Sequence, residues 1–355
     1  MRVERGNPAS IRICIPIAQK PLGGMYTFLE NWKRWLRQND ISQTEDPAAD
    51  YNVLFVNSFA VSYALIAAEK RARPDLLVVQ RVDGSARDYG RMDDSDDRQA
   101  RVNMLADLTV FQSIYSKFST TRKMKVIRQH GPVIYNPVDI HVFHAVPTRS
   151  FPGERPKICN VSHSENVRKG TWLIGVLAKE NPDLDFILCG NYPLLPDLPN
   201  IILRGRLDRA ELARTMGSCN VFLHLAENDP CPNVVLEALA SGLPVLYRDS
   251  GGTPELVGQC GRPVTLENFR SELESALRDH KSLSAAARER AVSYFAPDRI
   301  FPSYIDAITR AERRPSPSAR DFLRAAINGY PVLPWRPGSL YWRIKRSVRG
   351  LLAVP

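Results

Sequence analysis

"DPCPNVVLEALASGLPVLYRDSGGTPEL", residues Asp229–Leu256, holds the pattern on which the fold reading turns. Pro232 suits the first turn of a helix, Gly242 the position just past its end, and Pro244 blocks continuation. "LPVLYRD" then reads as a strand, and Gly251-Gly252-Thr253-Pro254 as a tight loop with a cap and a new first turn. A helix, a strand, a glycine turn and a second helix in so few residues are the alternation of a parallel sheet. The same stretch carries three carboxylates, Asp229, Glu237 and Glu255. Glu237 lies about 7.5 Å along the helix axis from Pro232, and Asp229 sits in the loop before the helix. In doubly wound domains that strand-to-helix corner is where ligands bind.

Working outward, the alternation continues on both sides. "KICNVS", "DFILCG", "IILRG", "NVFLHLA" and a short "RPVTL" are strand-like, with helical segments between them. Towards the N-terminus, Ile11 to Ile15 reads as a strand. A loop with Gly23 and Gly24 follows, then a helix with apolar residues at Met25, Phe28, Leu29, Trp32, Trp35 and Leu36. "YNVLFVN" and "DLLVVQRV" are near-continuous apolar runs, as expected for parallel strands covered on both faces. "ADLTVFQS" and "KVIRQHGPVIYN" extend the series. Between His144 and Lys157, "HAVPTRSFPGERPK" has three prolines and no periodicity, which marks a connector. The expected fold class is α/β, with two Rossmann-like domains facing across a cleft. Residues 1–143 form the first domain, 144–157 the linker, 158–314 the second domain and 315–355 a tail.

The bulk numbers agree with that reading. A chain of 355 residues, 44% hydrophobic and 24% charged, has the size for about two globular domains. No apolar run approaches the roughly 20 residues of a membrane-spanning helix, and the N-terminal stretch lacks the pattern of a secretory signal. A cytoplasmic protein is expected, and six scattered cysteines without a C-x-x-C pair read as small buried hydrophobes. The net charge of +10 is uneven. Pro315 to Pro355 contain seven Lys or Arg against one Asp. Within them, Leu340, Tyr341, Ile344, Val348, Leu351 and Leu352 fall on one helical arc, with Arg343, Lys345, Arg346 and Arg349 outside it. A basic amphipathic helix of this kind suits an anionic membrane surface better than nucleic acid, for which no binding module is visible.

A lone Glu in a helix is ordinarily solvated and a lone Gly-Gly is ordinarily a turn; the joint spacing is what informs. "DPCPNVVLEALASGLPV" followed by "DSGGTPELV" resembles the donor-site signature of GT-B glycosyltransferases of retaining family four, with two acids eight positions apart. "VIYNPVD" (Val133–Asp139) is similar to that family's "NGVD", and "RKG" (Arg168–Gly170) to its basic-glycine phosphate motif. The resemblance implies a nucleoside-diphosphate sugar as donor, a glycan or lipid-linked acceptor, retention of configuration, and neither metal nor other cofactor. It assigns Glu237 to the donor ribose hydroxyls, and Asp229, where the family usually has Glu, to the transferred sugar. Lys169 would neutralise the departing diphosphate, with Arg168 standing in for a second basic residue that the family has where this chain has Ser162-His163-Ser164. Gly23 and Gly24 match the loop that lets acceptor and donor phosphate approach the first helix, Asp83 a polar contact to the sugar, and Gly251, Gly252 and Glu255 the loop beside it.

Other readings fare less well. Gly23 and Gly24 do not form G-x-G-x-x-G, which disfavours a dinucleotide-dependent oxidoreductase. "DDSDD" (Asp93–Asp97) contains a D-x-D, but it follows no apolar strand and precedes a helical run, so its acids are expected to enrich a helix start. His141 and His144 lack partner ligands in register. A nucleotide-sugar epimerase and a non-catalytic sugar-nucleotide-binding protein remain as alternatives to the transferase.

Overall fold

The computed structural model describes residues 11–16, 24–124, 130–144 and 153–314. Gly23 and the basic tail from Pro315 lie outside the described residues. Two sheets, every strand pair parallel, make up the framework. The first has the order β2-β1-β3-β4-β5, from β1 (Arg12–Cys14), β2 (Ser42–Thr44), β3 (Val53–Asn57), β4 (Leu77–Val82) and β5 (Leu108–Phe111). Its helices are α1 (Gly24–Gln38), α2 (Tyr63–Ala72), α3 (Ser95–Leu105) and the short α4 (Ile114–Ser119). The second has the order β11-β10-β9-β6-β7-β8, from β6 (Lys157–Ser162), β7 (Asp185–Gly190), β8 (Ile201–Gly205), β9 (Val221–His224), β10 (Val245–Tyr247) and β11 (Gly261–Pro263). Around it lie α5 (Thr171–Glu180), α6 (Arg209–Met216), α7 (Asn233–Ala240), α8 (Thr253–Val257), α9 (Phe269–Arg278) and α10 (His280–Phe295), and the last helix among the described residues is α11 (Pro297–Arg310).

Period-two patterning decides which helix covers which face. In β3, Val53 and Phe55 join the cluster built with α1, whereas Leu54 and Val56 join the cluster on the opposite face with Ile66 of α2 and Val102 of α3. In β6, Cys159 and Val161 pack with α6, α7 and α10, and Ile158 packs with α5 and α9. Each large apolar side chain buried this way contributes about 1.5–3 kcal/mol. Strand order reverses between β6 and β9, so the loops leaving those two strands part at the switch point of the second sheet.

Three features depart from the sequence reading. β2, Ser-Gln-Thr, has no apolar signal, yet it pairs with β1 as the sheet edge. From "KVIRQHGPVIYN", the described residues contribute only one bridge, Val133 to Phe111. And α11, grouped by chain order with the second domain, packs on the first. Phe301 and Tyr304 enter the cluster of Phe28, Trp32 and Phe55, with the Trp32 and Phe301 ring centroids 4.8 Å apart. Trp35 Nε1 donates to Asp298 Oδ1 at 2.7 Å. An amphipathic helix declares that it will bury one face, but not against which sheet.

Candidate donor-binding cleft

A cleft of about 960 Å³ runs between the domains, within the size range of small-ligand sites. Its walls bring together Lys169, Asp229, Glu237, Asp83 and Gly24. Lys169 and Asp229 arrive from the two loops at the switch point. Asn166 caps a single 3-10 turn, Val167–Lys169, and Gly170 follows with φ +66°. A Cβ on Gly170 would stand 2.3 Å from the Leu225 carbonyl oxygen, so only glycine lets this loop lie against the loop after β9. The two loops are tied by Glu227 N–H donating to the Arg168 carbonyl at 2.7 Å. That brings Lys169 Nζ to 2.8 Å from Asp229 Oδ2.

The pair is mostly enclosed, and its electrostatics follow. Burial works against the Lys169 charge, but the Asp229 carboxylate and then the Tyr89 phenol outweigh it and raise the ammonium's pKa. Burial likewise favours the neutral acid at Asp229, yet Lys169 and His224 hold it below the usual carboxylate range. His224, at the end of β9, is buried with Nε2 lacking a partner among the described residues, and desolvation pushes its pKa down to about 4. Glu237 sits half-buried on α7 in the cleft wall. Desolvation lifts its carboxyl to about 7, although the Arg209 charge pulls the other way.

Asp83 directly follows β4 and pairs at 3.1 Å with Arg81, whose guanidinium forms the buried floor. Arg81 donates to Asn57, Gln112 and Asn136 and lies over the Phe28 ring at 4.1 Å. Asn136 Nδ2 then donates across the domain boundary, to the Cys231 carbonyl at 3.2 Å and to Asn233 Oδ1 at 2.7 Å. Gly24 faces the same asparagine, since a Cβ there would meet Asn233 Nδ2 at 3.3 Å.

The remaining sequence candidates stand apart from the cleft. Arg168 is held by Glu227 at 2.8 Å and lies against Gly90. Gly251, at φ +67°, and Gly252 back the loop that carries Asp229, because Cβ atoms there would stand 2.4 and 2.1 Å from the Asp229 and Pro230 carbonyl oxygens. Glu255 does meet a helix N-terminus, but that of α4 in the first domain. It accepts from Ile114 N, Tyr115 N and Tyr135 Oη, each at 2.9 Å. The four free N–H groups at a helix start attract a carboxylate whichever domain supplies it. Three acids of the "DDSDD" run are engaged locally: Asp93 accepts from Ser95 N, Asp96 from Ser85 Oγ and Ala86 N, and Asp97 pairs with Arg87, while Asp94, the other half of the D-x-D, stands at the N-cap of α3. Among the described residues, no group of three or more His, Cys, Asp or Glu is placed to hold a metal. Sequence reasoning missed His163, Arg206, Arg209 and Tyr89, which also line the cleft. They occupy loops and a helix start, where no periodicity marks a residue as inward-facing.

Comparison with known proteins bears on the second domain most directly. Residues 156–280 match the family described as glycosyl transferases group 1. Over 110 residues the chain is 34% identical to a GDP-mannose-dependent alpha-mannosyltransferase of Mycolicibacterium smegmatis, covering 29% of each chain. It is 28% identical over 158 residues to the sulfoquinovosyl transferase SQD2 of Arabidopsis thaliana, covering 40% of this chain and 31% of that one. The chain thus spans about a third of the length of these curated relatives. The fold is shared more widely. Anabaena HepE in complex with UDP superposes with a TM-score of 0.65 at 15% identity, covering 84% of this chain and 99% of HepE. Sucrose-phosphate synthase from Thermosynechococcus elongatus gives 0.60 at 17% identity, covering 79% and 76%. The two-domain arrangement is the one these structures share, the GT-B fold.

Proposed function

We propose, from the premise that residues 156–280 belong to the group 1 glycosyl transferases, that this chain transfers a hexosyl or related sugar from a nucleoside-diphosphate sugar to a glycan or lipid-linked acceptor. One observation carries the reading: an ammonium and a carboxylate, Lys169 and Asp229, stand side by side at a sheet switch point, with Glu237 in the same cleft wall. A diphosphate entering there takes over Lys169, and sugar hydroxyls donate to the released Asp229. Glu237 accepts from the donor ribose hydroxyls, in the form of a carboxylate once its proton has left.

Charge arriving on the departing diphosphate is met by Lys169 and by Arg206, which both lie near enough to His163 to lower its pKa, after burial. From the first domain, Asp83 faces the transferred sugar, and Gly24 leaves room for the donor phosphate and the acceptor. Retention without a metal is part of the proposal, with the leaving phosphate taking the acceptor proton. The acceptor enters from the first domain, and enclosure between the lobes aligns its oxygen and excludes water. The basic amphipathic pattern of residues 340–352 would hold the enzyme at an anionic membrane face from the cytoplasmic side, near a lipid-linked acceptor. Among the described residues no helix is long and apolar enough to cross a membrane.

A thermal-shift screen of nucleotide sugars, including UDP-glucose and GDP-mannose, tests the reading. At least one should raise the melting temperature, because a ligand selective for the folded state stabilises it. Glu237→Ala should weaken that ligand, and Lys169→Ala should chiefly slow transfer. A screen with no responding nucleotide sugar, or full turnover by both variants, would reject it.

A further inference from the structure

Tyr89 belongs to the first domain, in the loop between β4 and α3, yet it lines the cleft beside Lys169 and Asp229. The Lys169 ammonium lies 5.5 Å from its ring centroid. Second-domain amides pin this loop in place. Asn166 Nδ2 donates to the Tyr89 carbonyl at 2.9 Å, and Asn228 Nδ2 to the Asp88 carbonyl at 2.9 Å. Asn166 shares the turn that carries Lys169, and Asn228 directly precedes Asp229. From the other side, the hydroxyls of Tyr115 and Ser119 donate to the Asp88 carboxylate. The ring is therefore fixed relative to the ion pair.

Its hydroxyl has no such provision. The Tyr89 oxygen is closed off from solvent, and the Lys169 ammonium beside it can only donate to it, so the hydroxyl proton has no acceptor among the described residues. An enclosed polar group left unpaired costs more than an ordinary hydrogen bond contributes, and such groups in native proteins call for an explanation. Burial, and then the Asp229 charge, raise the phenol's pKa against the opposing effect of Lys169, so the hydroxyl keeps its proton and remains a donor.

We propose that the Tyr89 hydroxyl donates to the distal phosphate of the nucleotide diphosphate, a contact that the first domain supplies to a ligand held by the second. It rests on the reading of the cleft as a nucleotide-sugar site. The phosphate that takes over Lys169 comes to the ammonium that the Tyr89 ring borders, and its oxygens accept where the phenol has a proton to give. Asp229, an acceptor, is left to the sugar hydroxyls. Tyr89 thereby makes diphosphate affinity depend on the first domain being seated against the second.

Tyr89→Phe keeps the ring against Lys169 and removes only the oxygen. Titration calorimetry of wild type and variant with UDP, GDP, UMP and GMP separates the possibilities. The nucleoside diphosphate that wild type binds should bind the variant about five- to tenfold more weakly, with the monophosphate of the same base bound equally by both. Equal diphosphate affinity in the two proteins would overturn the proposal, and so would an equal loss for mono- and diphosphate, since the hydroxyl would then act elsewhere. Wild type that binds none of the four would overturn the nucleotide-sugar reading, and the proposal with it.

Discussion

Lys169 and Asp229 serve as each other's counter-ion, with side-chain exposures of only 22% and 11%. Removing one partner strands the other, which is the costly half of a buried pair. Lys169→Ala should destabilise the protein by about 3 kcal/mol in denaturant melts, and adding Asp229→Asn should recover most of that loss without restoring transfer. The pair's pH range follows from its shifts. Asp229 is depressed, so its contribution is complete above the unfolded carboxylate value of about 4 and fades as pH falls through the lower folded value. Lys169 is raised, so its contribution is complete below the unfolded lysine value near 10.4 and fades only as pH climbs through the higher folded one. Glu237 has the opposite sign to Asp229. With its carboxyl lifted to about 7, the folded protein binds more protons than the unfolded chain between roughly 4.3 and 7, and stability falls as pH rises across that window. Glu237→Gln should therefore stabilise the protein at pH 8 by about 1–3 kcal/mol and flatten this decline, as urea melts at several pH values would show. Donor affinity in wild type should rise with pH through the same interval, because hydroxyls donate better to the carboxylate than to the acid.

At the scale of elements, the glycine pair after β10 works through the neighbouring loop rather than by touching a ligand. Gly251→Ala forces a left-handed residue to carry a Cβ against the Asp229 backbone. The expected outcome is a loss of about 1–3 kcal/mol in stability together with weaker donor binding, read by chemical denaturation and calorimetry. The sequence displayed these elements plainly, because alternate residues of buried parallel strands must both be apolar and helix ends need proline and glycine. Asp229, Glu237 and Lys169 were singled out through the resemblance their motifs carry, and the structure lines one cleft with all three. The sequence was silent on β2, whose place depends on backbone hydrogen bonds alone, and on Arg206 and Tyr89, whose inward position depends on how two domains meet. Glu255 shows the same limit: its place in the first turn of one helix was legible, and the other helix whose N-terminus it meets was not.

For the whole molecule, α11 is the feature with the widest reach. It closes the hydrophobic face of the first sheet over Phe28, Trp32 and Phe55 after the chain has already built the second domain. A chain ending at Ala296 should therefore lose the first domain selectively. Hydrogen exchange should show β1, β3 and α1 unprotected while β6 and β9 keep their protection, because the second domain's two clusters contain no residue of α11. The interdomain bonds of Glu255, Asn136, Asn166 and Asn228 then fix how far the two lobes stand apart.

The crossing of α11 also sets a schedule on the ribosome. The Trp35 indole waits for a carboxylate 263 positions further along the chain, so the half made first is the half finished last. The later half can settle into its final form while the earlier one still shows an uncovered aromatic face to whatever chaperone is at hand.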